Sequence, residues 1–594
     1  MSDLDLGMVG NCCISALVDR QARIVWSCFP RFDADPLFHS LLGGPTGNDD
    51  DGSFSVTLGG LASSRHAYRP NTAILETVLE APGGTIQVVD FAPRFDWRGR
   101  PFRPQMLVRR IRPLSGSPRI RLGVRPRFDY GATAPRIAHG SNHIRFHGPR
   151  LTVRLTTDAP IDYVNAETEF TLDEEINCIL GPDETLSEGI SDTARDFEER
   201  TDDYWRSWSR RLAVPLEWQD AVIRAAITLK LCSYEPTGAV VAAMTTSIPE
   251  APDSGRNWDY RYCWVRDAFF VTRALNSLSA VRTMENYFRW IMNIVARADG
   301  EHIQPVFGIG LDDDMSERIA DQLPGYRGMG PVRIGNQAHQ HLQHDTYGNL
   351  ILGAAQAFFD RRLFIRVGRE HFEQFEAVGE RAVRYHDQPD AGMWELRSRA
   401  RIHTSSSVMC WAACDRLAKI AAHLGLAARA RHWRSRADAI KSTILERAWS
   451  FRRRAFVESF EGEHLDASVL LMSEVGFIDP RDERFVATVD RLEETLARGH
   501  YMLRYEAADD FGLPMTAFNV CAFWRLDALA RIGRRDQARE IFAALLETRN
   551  SVGLMSEDSD PATGAPWGNF PQTYSMVGIV NGAVRLSRPW DSVI

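Results

Sequence analysis

The apolar residues of this chain change their spacing once, and that change limits what it can fold into. Up to about residue 185 they alternate, as in Phe54, Val56 and Leu58, Ile120, Leu122 and Val124, or Leu151, Val153 and Leu155, with Gly- and Pro-rich breaks between the runs. A period of two puts one row of side chains on a single face of a strand. Short strands at this spacing predict an antiparallel β-sandwich. From about residue 215 the apolar positions fall three and four apart, as in Trp411, Cys414, Leu417, Ala421 and Leu424 behind a candidate cap at Thr404 or Ser405. That is the period of one helix face. Between the two halves, residues 191–212 are charged, lack Gly and Pro, and space Phe197, Trp205 and Trp208 as a helix would.

The expected fold is therefore an α+β multidomain chain: an N-terminal antiparallel β-sandwich over 1–188, a helical linker over 189–213 and a predominantly helical domain over 214–594. Further helices are expected at about 215–235, 265–280, 345–365, 425–448, 515–533 and 535–548. Successive helical hairpins without a fixed-length repeat favour a closed α/α toroid over a solenoid.

The 594 residues suffice for two full cores. A formal charge of -8 with no basic run leaves no electrostatic footprint for nucleic acid, and no apolar run approaches the roughly 20 residues of a membrane span. The opening MSDLDLGMVGNCC has no charged segment followed by an apolar stretch, so no secretion signal is read there. Nine cysteines, an odd number thinly spread, suit a reduced cytoplasmic protein. Cys12 and Cys13, and Cys410 and Cys414, lack zinc spacing and read as buried apolar residues.

Four stretches in the helical half concentrate aromatic, Arg, Asp and Glu side chains. Pyranose rings stack their C–H faces on aromatic rings while their hydroxyls need fixed donors and acceptors, so such stretches can build a sugar pocket. The first, residues 256–267 (RNWDYRYCWVRD), holds Trp258, Tyr260 and the pair Arg266–Asp267, a fork of donors beside a carboxylate. On the residues alone it is equally a salt-bridged helix start. The second runs from Gln304 to Asn336, with Tyr326, Arg327 and Arg333 among turn glycines. After it, His339, His341 and His344 invite a metal, but on a helix only His341 and His344 share a face and no HExxH pattern is present, so no metal site is expected. The third, residues 390–397 (DAGMWELR), sets Glu395 beside Trp394, a setting that can keep a carboxyl protonated as a general acid. The fourth, residues 553–572, supplies a second carboxylate, Glu557, in a loop closed by Trp567 and Phe570. Its DSDPATG run lacks EF-hand spacing.

In their order along the chain these stretches resemble glycoside hydrolase family 15, the glucoamylase, glucodextranase and bacterial trehalase group. The likeness extends to Ala16–Arg20, Ile24–Trp26, Pro30–Asp33 and Leu41–Gly43, which look like the opening of that family's trehalase-like sandwich domain, and to Thr246–Glu250 and Gly568–Gln572. The resemblance implies an (α/α)6 barrel, Glu395 as general acid, Glu557 as general base, and Arg266 and Asp267 holding the terminal glucose. It departs from the family at Asp558, where Gln is common, at His341 and His344 in place of Gln and Leu, at Met244 in place of Pro, and at Ser407 in place of a basic residue. These departures bear on substrate preference and leave both carboxylates in place.

The expected activity is inverting, exo-acting hydrolysis of a small α-glucoside with release of β-glucose, trehalose first and malto- or isomalto-oligosaccharides next. Inversion requires carboxyls about 6.5 to 9.5 Å apart, with room for a water. A disaccharide phosphorylase shares the sandwich-plus-barrel plan but replaces the base with phosphate, and Glu557 counts against it. A non-catalytic sugar-binding protein is the third reading. No cofactor is expected. The expected partner is a small carbohydrate, with neither nucleic acid nor membrane, and a homo-oligomer is compatible with the sequence.

Overall fold

The computed structural model describes residues 3–44, 52–298 and 302–593. Its N-terminal part is two antiparallel sheets packed face to face. One runs in the order Gly7–Gly10, Ser15–Val18, Ile24–Cys28, Phe54–Leu58, Arg119–Val124 and Phe170–Thr171, with Pro36–Phe38 added on Ile24–Cys28. The other runs Arg136–His139, His143–His147, Thr152–Thr157, Ile176–Pro182, Leu107–Gly116, Gly84–Phe91, Leu75–Ala81 and Ser63–Tyr68. Alternation does what it predicts: in Leu75–Ala81, Leu75, Thr77 and Leu79 are buried while Glu76 and Val78 are only half-buried. One buried ion pair ties the sheets. Arg109 donates from Nε to Asp90 Oδ1 at 2.7 Å and from Nη1 across the sandwich to the Phe54 carbonyl at 2.6 Å. A guanidinium removed from water needs such a full set of acceptors.

A short helix, Ile161–Asn165 (α1), packs on this domain, and Ile190–Ser209 (α2) runs along it to the second half with Trp205 buried. Among the described residues twelve α-helices follow in outer–inner pairs: Gln219–Leu231 (α3) and Val265–Ser277 (α4), Val281–Arg297 (α5) and Asp345–Ala355 (α6), Arg369–Tyr385 (α7) and Thr404–His423 (α8), Ala427–Arg447 (α9) and Leu471–Glu474 (α10), Glu483–Leu496 (α11) and Asn519–Arg531 (α12), Arg535–Glu547 (α13) and Thr573–Leu586 (α14). The 3-10 turn Ala467–Leu470 extends α10 at its start. The inner helices touch in the order α4, α6, α8, α10, α12, α14 and back to α4, which closes an (α/α)6 barrel. Composition follows position. Every residue of α6 is buried, whereas α9 buries only Trp433, Ala437, Ile440 and Ile444 on one stripe.

Two expectations need adjusting. The helix placed over 345–365 ends at Ala355, with a 3-10 turn Gln356–Phe358 after it. The histidine run is not one helix: a 3-10 turn, Gln337–Gln340, stops before His341 and α6 begins only at Asp345. His341 and His344 therefore share no helix face. No helix among the described residues is long and apolar enough to cross a membrane.

Candidate active site

The starts of three inner helices, Arg266 and Asp267 of α4, Phe518 just ahead of α12, and Gln572 and Tyr574 at α14, line a cleft with about 880 Å³ of empty space. Helix starts carry unpaired N–H groups and a positive dipole end, so this rim favours anionic and hydroxyl groups. The cleft is organised on an extended segment, residues 257–264, that pairs with 242–247 through Ala243 N to Tyr260 O at 3.0 Å and Ser247 N to Trp258 O at 2.8 Å. Successive side chains of an extended segment point to opposite faces. Trp258, Tyr260 and Trp264 line the cleft, while Asp259 and Arg261 between them are wholly buried on the other side.

Two carboxylates are gripped from this segment. Tyr260 Oη donates to Glu557 Oε1 at 2.7 Å, and Trp264 Nε1 donates to Glu395 Oε1 at 2.5 Å. Glu557 lies deep, 1% exposed, where a three-stranded ribbon of Ala517–Phe518, Asp558–Ser559 and Pro566–Trp567 meets α12. Its Oε2 also accepts from the Asn569 amide at 3.3 Å. Gly568 makes this approach possible: its φ is +73°, and a Cβ there would sit 2.6 Å from Glu557 Cβ. Burial, then the neighbouring Glu250 and Asp558 charges, push the Glu557 carboxyl well above the usual range, against the opposing pull of Arg504 and the Tyr260 hydrogen bond.

Glu395 is less enclosed, with its side chain 22% exposed. It tips a loop whose base is closed by paired Asp390 and Arg401, and its backbone φ of +61° is left-handed. A non-glycine residue in that region carries strain of the order of 1 kcal/mol. Arg266 Nη2 lies 3.5 Å from Glu395 Oε1. The same guanidinium faces Asp267 at 3.5 Å and Asp345 at 3.4 Å, both at helix starts. Asp267 Oδ2 is buried without a hydrogen bond, and burial holds its carboxyl up at about 6. An unpaired acceptor beside a guanidinium is the pattern that takes sugar hydroxyls.

On the far side, Arg504 Nη2 is shared between Asp558 Oδ1 at 3.0 Å and Glu250 Oε2 at 2.9 Å. Glu250 in turn accepts from Trp258 Nε1 at 2.9 Å. Burial holds Asp558 up at about 7 against the pull of Arg504. At the rim, the Trp258 ring carries Arg397 at 4.4 Å on its centroid and meets the Phe511 ring at 5.3 Å. Trp394 lines the wall and donates to Asp466 Oδ2 at 2.7 Å.

Of the residues singled out in the sequence, Trp258, Tyr260, Arg266, Asp267, Trp394, Glu395 and Glu557 meet in this cleft. Tyr326, Arg327 and Trp567 do not. Arg327 lies over the Tyr326 and Trp567 rings at 5.0 and 5.7 Å, in a cluster of their own outside the lining. Trp567 pairs with Asp558 across the ribbon, one residue out of phase with Glu557. Arg333 backs the cleft without lining it, paired with Glu317 at 2.6 Å and 5.3 Å from the Trp258 centroid. The sequence reading missed Glu250, Arg256, Arg504, Tyr505, Asp509 and Phe511. Four of these lie in RYEAADDFG (504–512), which has the aromatic, basic and acidic mix of the other loops just ahead of α12. His341 lines the cleft, whereas His344 stacks on Tyr385 with centroids 5.2 Å apart. Among the described residues no cluster of three potential metal ligands occurs.

The model for glycosyl hydrolases family 15 matches residues 218–584, and the model for the trehalase-like N-terminal domain matches residues 4–169. A trehalase of Mycolicibacterium smegmatis is 30% identical, with 98% of this chain and 91% of that protein covered. A trehalase of Mycobacterium tuberculosis is 31% identical over 97% of this chain and 88% of its own length. Among solved structures, a bacterial glucoamylase complexed with acarbose superposes with a TM-score of 0.69 at 11% identity, over 98% of this chain and 94% of that one. That likeness is one of fold.

Proposed function

This chain belongs to glycosyl hydrolases family 15, and from that premise we propose that it is a trehalase, hydrolysing the α-linked disaccharide with inversion and without a cofactor. Trehalose is favoured because relatives named trehalase align with it over nearly their whole length. The observation that carries the mechanism is the unlike treatment of two carboxylates in one cleft: Glu557 is sunk behind Tyr260, and Glu395 stands half-open beside Trp264 and Arg266.

In this reading Arg266 and Asp267 hold the hydroxyls of the glucose that enters first. Glu557, whose charged form Arg504 and the Tyr260 hydroxyl favour against burial, removes a proton from a water once ionised, and that water attacks the anomeric carbon from the face opposite the leaving sugar. Glu395 gives its proton to the glycosidic oxygen as that bond breaks, and the product leaves as β-glucose. Trp258, Trp394 and Phe511 offer apolar faces to the sugar rings. A cytoplasmic site of action is supported by nine cysteines that are all buried free thiols.

Proton NMR of the anomeric signal during early turnover tests the reading, with trehalose, maltose and isomaltose offered in parallel, with and without phosphate. Initial β-glucose from trehalose is the expected result. Initial α-glucose would remove the inverting mechanism, glucose 1-phosphate would replace hydrolysis with phosphorolysis, and preferential cleavage of maltose or isomaltose would move the substrate.

A further inference from the structure

We infer that the N-terminal sandwich sets the geometry of the catalytic centre, and that Arg261 is the positioning residue through which it does so. The inference rests on the reading of Glu557 as the base. Arg261 is 0% exposed, and a guanidinium in that setting is stable only with its donors satisfied. Two of its bonds are local: Nε to Asp259 Oδ1 at 2.8 Å and Nη2 to Asp259 Oδ2 at 2.6 Å. Three others cross the seam between the domains, the weakest from Nη1 to Cys28 Sγ at 3.5 Å. Nη1 donates to the Ala34 carbonyl at 2.7 Å, and Nη2 donates to Tyr130 Oη at 2.7 Å.

A second tie holds the neighbouring strand to the same part of the sandwich. Trp26 Nε1 donates to the Met244 carbonyl at 2.8 Å, and residues 242–247 are those that pair with the cleft segment. Trp26 is a fully buried residue of Ile24–Cys28, and its ring lies 6.0 Å from the Arg261 guanidinium. The sandwich thus grips both strands that form one wall of the cleft. Because side chains alternate along an extended segment, fixing Asp259 and Arg261 on one face fixes Trp258 and Tyr260 on the other. Tyr260 is the residue whose hydroxyl reaches Glu557.

A lysine cannot reproduce this. Arg261 spans a bidentate carboxylate, a carbonyl and a phenol with one planar group, whereas an ammonium is a point charge on a flexible stem. The cost of losing the brace is a displaced Tyr260 hydroxyl, and misplacement by about 1 Å in a catalytic constellation costs on the order of a hundredfold in rate.

The test uses the full-length protein in a double-mutant cycle. Arg261→Lys and Tyr130→Phe are each measured alone and on a Tyr260→Phe background, with trehalose as substrate, following kcat, KM, the pH profile and the melting temperature. Tyr130→Phe keeps the ring and removes only the hydroxyl that Arg261 holds, so it decides the matter if Arg261→Lys does not fold. The expected result is a fall in kcat of about tenfold for Tyr130→Phe and up to about a hundredfold for Arg261→Lys, with little change in KM. The acid limb, set by Glu557 among Glu250, Asp558, Arg504 and Tyr260, moves to higher pH. Both effects should disappear once the Tyr260 hydroxyl is gone, because residues acting through one contact are not additive. Equal losses with and without that hydroxyl, or an unchanged kcat and pH profile in Tyr130→Phe, would overturn the positioning role. If instead Glu557→Gln and Tyr260→Phe leave hydrolysis untouched, the reading of the site itself has failed.

Discussion

Tyr260 and Trp264 meet edge to face with ring centroids 5.3 Å apart, and each donates a hydrogen bond to a different carboxylate of the cleft. The two rings are therefore a spacer between Glu557 and Glu395. A spacer of packed aromatic rings has few rotamers and little room to move, which suits a reaction that needs a water held between two carboxyls. Replacing either carboxylate removes one partner of the proposed proton transfers. Glu395→Gln and Glu557→Gln are expected to lower turnover of trehalose by at least about a hundredfold with the fold intact. Near-wild-type turnover in either would remove that residue from the mechanism.

Tyr260→Phe isolates one end of the spacer. Its hydroxyl supports the charged form of Glu557, and hydrogen bonds to charged groups are worth about 1.5 to 3 kcal/mol. Without it the base holds its proton to higher pH. The acid limb of kcat/KM should move upward, and turnover at neutral pH should fall about ten- to hundredfold. A pH–rate series checks both, and a limb that stays in place would separate Tyr260 from the titration of Glu557.

Asp558→Asn should move the same limb the opposite way. Asp558 adds a buried negative charge beside Glu557 and engages the one guanidinium seen to bond both it and Glu250. Neutralising it removes a like charge and leaves Arg504 freer to act on Glu557, and both changes favour the carboxylate. The expected outcome is an acid limb at lower pH, measured against Tyr260→Phe in the same buffers. A shift upward would mean that Asp558 serves chiefly to hold Arg504 in place.

What the sequence revealed and concealed has a physical pattern. The switch from period two to period three-and-four is a property of the buried face, so the sandwich and the helical ring were legible from it. The outer helices α5, α7 and α11 were not singled out. In α7 the buried stripe of Phe372, Phe375, Val378, Ala382 and Tyr385 is interrupted by buried Glu376 and Gly379 and set among many charges. Within the site, the run 256–267 stood out because aromatic and charged residues rarely crowd a helix start. Composition does not say which way a loop side chain faces. Trp567 and Tyr326 have the same make-up as true lining residues but turn toward each other, ring centroids 6.3 Å apart. Glu250 is legible in sequence only as the end of the run Thr246–Glu250, because its role comes from Arg504, far along the chain, and from the Trp258 ring that folds back onto it.

Gly568→Ala should be harmful out of proportion to one methyl group. The residue has a φ of +73°, and the added Cβ would lie 2.6 Å from Glu557 Cβ and 2.7 Å from its Oε2. Left-handed backbone costs a non-glycine residue about 1 to 2 kcal/mol, and the clash can be relieved only by moving the carboxylate. The expected variant melts several degrees lower and has lost most of its turnover. Retained kcat would show that Glu557 tolerates displacement.

Asp390→Asn tests the loop that carries Glu395 through stability. Asp390 Oδ2 accepts from the His344 amide at 2.8 Å and from Ser406 Oγ at 2.7 Å, while Oδ1 is buried without a hydrogen bond. Burial raises its carboxyl from 3.8 to about 7, with Asp345 adding to the rise and the His344 and Ser406 donors, then the Gly392 amide, opposing it. The sign follows from linkage. Below pH 3.8 the group is protonated folded or unfolded and exacts no penalty; between there and about 7 the unfolded chain ionises first, so the native state loses stability as pH rises, and above about 7 the loss is complete. Asparagine keeps an acceptor for the two donors and cannot ionise. The stability of Asp390→Asn relative to wild type should therefore improve steadily from about pH 4 to about pH 7, by on the order of a few kcal/mol, and then level off. Denaturant melts of both proteins across that range measure it, and a difference that does not vary with pH would mean that Asp390 is already ionised in the folded protein at low pH.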